Sequence, residues 1–166
     1  MKNTPLFLRF LNRETSVLDI LSSFSKVEEK TTAEAAKAAL DNPPDIEEFR
    51  KELEEAVRDL IKEGLGDEFK AFVNHYMESS LEEDIHIENG SFGENRSQTA
   101  RVKNPSGPWV QGFICYNLCL YIKAFGLEEL KTCKVCGKIF NHKGKWAAYC
   151  SDLCKSNKKQ SDRKQD

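Results

Sequence analysis

The chain has 166 residues, of which 39% are hydrophobic and 31% charged, and its formal net charge is −2. That length suits one ordinary domain, or a modest domain with a small appendage, with enough apolar content for a packed core. It argues against a membrane protein: the greasiest stretch, Trp109 to Phe125, is broken by Gln111, Asn117 and Lys123 and falls short of about 20 uninterrupted apolar residues.

The N-terminal run MKNTPLFLRFLNRE is too short and too charged in its apolar part for an export signal, so the expected compartment is the reducing cytoplasm. Six cysteines are expected there as metal ligands or buried thiols in preference to disulfides. The small net charge conceals an asymmetry. Residues 1–130 carry 15 Lys and Arg against 24 Asp and Glu, a net −9, whereas residues 131–166 carry 10 against 3, a net +7. An acidic body with a basic end points to a polyanion partner for that end, although a basic tail also serves solubility alone.

In chain order, Leu6, Phe7, Leu8, Phe10 and Leu11 fit either a strand or a helix start, and Val17, Leu18, Ile20, Leu21 and Phe24 recur at helical spacing. Thr31 with Glu34, and Asp45 with Glu48, match capping boxes, and Pro43-Pro44 separates the helices they introduce. Ile46, Phe49, Leu53, Val57, Leu60 and Ile61 then share one helical face, which Gly64 closes. A shorter helix follows, with Phe69, Phe72, Val73 and Tyr76 inward. Ile85 and Ile87 alternate with His86 and Glu88 before the turn dipeptide Asn89-Gly90. This predicts a hairpin within residues 85–104, with a long, mobile tip and a returning strand at Thr99 to Val102. Pro105, Gly107 and Pro108 form a loop into a buried helix from Trp109 to Phe125, ended by Gly126. The expected architecture is mainly α with a small β-hairpin: a helical domain of residues 1–130, then a metal-binding module of residues 131–166.

The chemistry concentrates in that module. Cys133 and Cys136 are separated by two residues, thirteen residues intervene, and Cys150 and Cys154 are separated by three. A pair so spaced clasps one metal from a tight turn, and Gly137 lets the chain bend around the sulfurs. Lys138 to Phe140 are expected to run up and Trp146 to Tyr149 down as a hairpin, with Phe140 and Tyr149 packed beside the metal. Ser151 is placed to cap a following helix, with Asp152 in its first turn. Four thiolates fill a tetrahedral shell, so one structural Zn²⁺ is favoured over an iron–sulfur cluster or disulfides. A module this small and this polar should fold only with its metal.

The run CKVCGKIFNHKGKWAAYCSDLCKSNKK resembles the treble-clef zinc fingers of bacterial and phage proteins, and most closely the CGNR zinc finger class. The resemblance rests on Cys133, Cys136, Gly137, Phe140, Tyr149, Cys150, Ser151 and Cys154 and is specific over about the last 35 residues. In that class a helical N-terminal domain precedes a C-terminal finger, and the layout here is similar. The Gly-Asn-Arg signature is absent, since Cys154 is followed by Lys155-Ser156-Asn157-Lys158. The resemblance implies a transcription-regulator-like protein whose finger contacts DNA.

Candidate phosphate contacts are Lys138, Lys143 and Lys145 near the hairpin, with His142 beside them, and Lys155, Lys158, Lys159 and Arg163 in the final segment, followed by Lys164. The helical domain is expected to sense, to recruit a protein partner or to form a homodimer. The alternative is a protein-interaction or assembly module with a purely structural zinc. Cys115 and Cys119, four apart in an apolar helix, read as core thiols. No nucleophile elbow, phosphate-binding glycine loop or His-Glu-x-x-His run occurs, so an enzyme is the weaker class.

Overall fold

The computed structural model describes residues 4–16, 19, 46–78, 81–82, 87–88, 91–92, 101–102, 109–142 and 147–162. The expectations for Val17 to Phe24 (except Asp19), Thr31 with Glu34, Pro43-Pro44, Asp45, Lys143, Lys145, Trp146, Arg163 and Lys164 fall outside these residues.

Leu6–Leu11 is a helix, α1, which settles the ambiguity between strand and helix. Phe7, Leu8 and Phe10 have no exposed surface and Leu11 is buried. Six residues cannot sustain a helix in water, so it is this burial that holds α1. Glu47–Glu63 forms α2, beginning after Ile46, which lacks a side-chain cap, and ending at Gly64 in the left-handed region. Its inward face is Phe49, Leu53, Val57 and Leu60, the spacing the sequence predicts. Arg50 is also buried, but not uncompensated. Its Nε donates to the Phe10 carbonyl at 3.1 Å, its guanidinium pairs with Glu47, and it lies 4.5 Å from the Phe10 ring centroid. A buried charge so satisfied ties α1 to α2.

Asp67–Glu78 forms α3, with Phe69, Val73 and Met77 buried and Phe72 and Tyr76 half-buried. Trp109–Phe125 forms α4, with the expected bounds. It is apolar around most of its circumference because it is the central helix, in contact with both α3 and α1. Cys115 and Cys119 lie fully buried on it, as core thiols. Among the described residues, no helix is long and apolar enough to cross a membrane.

Four two-residue strands follow α3: β1 (Leu81–Glu82), β2 (Ile87–Glu88), β3 (Ser91–Phe92) and β4 (Arg101–Val102). β1 pairs antiparallel with β4, and β2 with β3. The small hairpin is therefore present. Within the expected returning strand, Arg101–Val102 is β4, which pairs with β1, while β2 pairs with a nearer return at Ser91–Phe92, and Thr99 lies outside the described residues. The Glu88↔Ser91 pairing leaves only positions 89 and 90 between the strands, the spacing that an Asn-Gly turn favours.

Leu118 has no exposed surface at the centre of this packing. Leu118→Ala should lower unfolding stability by about 2–5 kcal/mol, read as a fall in urea midpoint at unchanged slope. An exposed substitution such as Lys51→Ala should stay within about 0.5 kcal/mol.

Candidate metal centre

After α4 and a short 3₁₀ turn at Leu127–Glu129, the chain forms a two-stranded ribbon. β5 (Leu130–Thr132) pairs antiparallel with β6 (Ile139–Asn141), in the register Thr132↔Ile139. This corrects the expected hairpin, in which Lys138 to Phe140 would pair forward with Trp146 to Tyr149. Instead β6 pairs backward, across the first cysteine pair. Leu130 and Ile139 are 1% and 2% exposed and belong to the same buried cluster as the helices, so core burial selects this pairing. The segment 147–149 is not a strand, and among the described residues Lys134 N donates to the Ala148 carbonyl at 3.0 Å.

The turn between β5 and β6 carries Cys133 and Cys136. Cys133 N donates to the Lys138 carbonyl and Gly137 N to the Cys133 carbonyl, both at 2.9 Å. Gly137 has φ +72°, a left-handed conformation that glycine adopts without strain. The helical body grips this turn at several points. Arg58 Nη2 donates to the Gly137 carbonyl at 2.7 Å while pairing with Glu54 at 2.6 Å. Asn12 Nδ2 donates to the Ile139 carbonyl at 3.0 Å and Lys138 pairs with Glu14, while His142 N donates to the Glu129 carbonyl at 2.9 Å and so extends the ribbon's own pairing.

The second pair is supported differently. Asp152–Asp162 forms a helix, α5, and Ser151 Oγ accepts from Cys154 N at 3.3 Å, so Ser151 caps it as predicted. Cys154 is half-buried, whereas every other residue from Ser151 to Ser161 is exposed, including Leu153 at 70%. The helix stands out from the body.

The four sulfurs converge. Those of Cys133, Cys136, Cys150 and Cys154 all lie within 4.8 Å of one another. Cys136 Sγ is 3.5 Å from Cys150 Sγ, which is 3.7 Å from Cys154 Sγ. A tetrahedral ion with bonds of about 2.3 Å requires sulfur separations of roughly 3.8 Å, so the residues fit a four-coordinate metal. All six cysteines are free thiols.

Electrostatics give the site a pH dependence. Burial raises the Cys133 thiol, but backbone N–H groups of Cys136, Cys150 and Val135, together with the Cys136 side chain, outweigh it and bring Cys133 down to about 6. Burial pushes Cys150 up to about 12, helped by the Cys136, Cys154 and Cys133 sulfurs. The Ser151 hydroxyl pulls Cys154 down, yet desolvation and the Cys136 and Cys133 sulfurs leave it raised. Of these sulfurs Cys133 is thus the most readily deprotonated, whereas Cys150 and Cys154 hold their protons more tightly than an ordinary thiol. A metal must expel them, so its binding releases protons and weakens as pH falls. Zinc affinity should drop progressively between about pH 8 and pH 6, with proton release detectable by calorimetry in buffers of different ionisation enthalpy. Affinity independent of pH would contradict this reading.

The predicted basic residues separate into two groups. Lys138 faces the body through its pair with Glu14. Lys155, Lys158 and Lys159 are exposed along α5, where positions 155 and 159 share a face. Lys155 also borders a recess of about 580 Å³ with His142, Tyr149 and Cys150. Sequence reasoning missed Arg58, Asn12 and Glu14, which hold the cysteine-bearing turn. The one available signal was the apolar pair Leu130 and Ile139 flanking Cys133 and Cys136 at matched distances.

A cysteine-bearing turn on a short ribbon, followed by a helix whose first turn carries Cys154, is consistent with a zinc finger. No family model matches the chain, and neither a curated protein nor a solved structure is significantly similar to it.

Proposed function

We propose that this chain is a cytoplasmic nucleic-acid-binding protein of transcription-regulator type, in which one Zn²⁺ on Cys133, Cys136, Cys150 and Cys154 presents α5 to the phosphates of DNA. The observation that carries the reading is a closed four-sulfur cluster placed at the foot of an exposed, lysine-bearing helix. Zinc suits a set of four thiolates, and with four protein ligands it keeps no open position for substrate. Its role here is to orient, and the protein is not an enzyme. Residues 131–166 form the contacting module and residues 1–130 the supporting domain.

Lys155, Lys158 and Lys159 supply the principal contacts, with Lys143, Lys145 and Arg163 as flanking ones. Lys138 contributes mainly through its tie to Glu14. Binding of this kind is driven by release of counterions, so it is strong at low salt and carries little sequence information. The recess lined by His142, Tyr149 and Lys155 offers a place for a sugar or base edge next to the helix.

An electromobility titration across salt tests the reading. Log affinity should fall linearly with log salt, and the triple variant Lys155→Ala, Lys158→Ala, Lys159→Ala should reduce the magnitude of that slope by roughly 2–3. Absence of binding at low salt by the zinc-loaded chain would overturn the proposal.

A further inference from the structure

The four cysteines of the cluster meet solvent very unequally. Cys133 is 2% exposed and Cys150 and Cys154 are half-buried, whereas Cys136 is exposed. Lys134 and Val135 beside it are exposed too, so a small polar molecule comes up to this turn from open solvent. The Cys136 sulfur has a second sulfur within reach, that of Cys150, 3.5 Å away. An accessible thiolate beside a resolving cysteine is the arrangement that responds to oxidants and stops at a disulfide, short of irreversible acids.

The two sulfurs also sit on parts held with different firmness. Cys136 belongs to the turn that Arg58 and the ribbon hold in place, and Cys150 to the foot of α5. A disulfide needs its sulfurs to close to about 2.05 Å, and the loosely held Cys150 side supplies that movement. We propose that Cys136 and Cys150 are a peroxide-responsive pair, whose oxidation to a disulfide opens the metal site and frees α5. The inference rests on the zinc reading of the cluster and is independent of the nucleic-acid one.

The chemistry balances with a hydroperoxide as oxidant. The Cys136 thiolate attacks one peroxide oxygen; an S–O bond forms, the O–O bond breaks and hydroxide leaves. The Cys150 thiolate then attacks the sulfur of the Cys136 sulfenic acid; the S–S bond forms and the S–O bond breaks, releasing a second hydroxide. The sulfur pair loses two electrons, the peroxide gains them, and two protons from solvent turn both hydroxides to water. Cys133 and Cys154 remain, and they cannot replace the closed four-sulfur shell that secures a structural zinc. Cys154 is the one residue from Ser151 to Ser161 that is not exposed, so losing its metal bond leaves α5 without an anchor. Cys150 stays tied to the ribbon, which keeps the change reversible.

The test uses the parent chain, because replacing either cysteine would itself remove a metal ligand. Zinc-loaded full chain is treated with excess hydrogen peroxide beside a chromogenic zinc indicator that takes no metal from the untreated protein. One zinc per chain should be released, in step with one disulfide. Cleavage after lysine separates Cys133 from Cys136, since Lys134 lies between them, and leaves Cys150 and Cys154 together in residues 146–155. Mass spectrometry should find residues 135–138 joined to residues 146–155, and fragmentation between Ser151 and Leu153 should place the link on Cys150. Dithiothreitol with added zinc should restore the starting material. A loaded chain that keeps its zinc under peroxide would sink this inference alone, as would a link at Cys133 or Cys154, or Cys136 found only as sulfinic or sulfonic acid. A chain that takes up no zinc beforehand would overturn the metal reading and this inference with it.

Discussion

The two halves of the sulfur cluster are held with very different strength, and the architecture of the C-terminal region follows from that inequality. Cys133 and Cys136 sit in a turn closed by its own backbone bonds and flanked by strands whose Leu130 and Ile139 are part of the main core. Cys150 and Cys154 sit at the foot of a polar helix exposed along its length. An 11-residue helix of this composition is marginal in water by itself. Coordination of a metal by the four sulfurs would then be the interaction that fixes α5 in direction. Removing the metal would release the helix while leaving the ribbon in place.

The ribbon in turn inherits its rigidity from the helices. Arg58 on α2 and Asn12 just after α1 bond to the turn or its strands. Arg50 secures α1 against α2 by the same kind of bond to a backbone carbonyl. The change from acidic to basic composition near residue 130 therefore coincides with no break in packing. Leu130 is at once the first residue of the ribbon and a fully buried member of the helical core. A metal site so mounted gives its helix a fixed bearing relative to the acidic body, which a finger on a flexible linker would lack.

Much of this was legible in the sequence, for identifiable reasons. The bounds of α4 follow from an apolar run closed by Gly126, and the inward face of α2 from apolar spacings of three and four ending at Gly64. The cysteine spacing and the Ser151 cap are local patterns, and the structure bears both out. The strand partner of β6 was not legible. Forward and backward pairing both suit Ile139–Asn141 locally, and the choice rests on burial of Leu130 against helices remote in sequence. Leu6–Leu11 was ambiguous because an almost wholly apolar run shows no period, and only the core around it decides for helix. Arg58 was invisible as a site residue, since an arginine four residues after a glutamate reads as an ordinary surface pair.

The central claim is that metal coordination is what secures α5 to an independently anchored ribbon. Amide hydrogen exchange of the full chain, with zinc bound and after chelation, tests it most directly. Chelation should abolish protection across residues 153–162 while leaving the amides of Ile114 to Ile122 in α4 protected. Unchanged protection in α5, or loss of protection throughout the chain at once, would contradict the account.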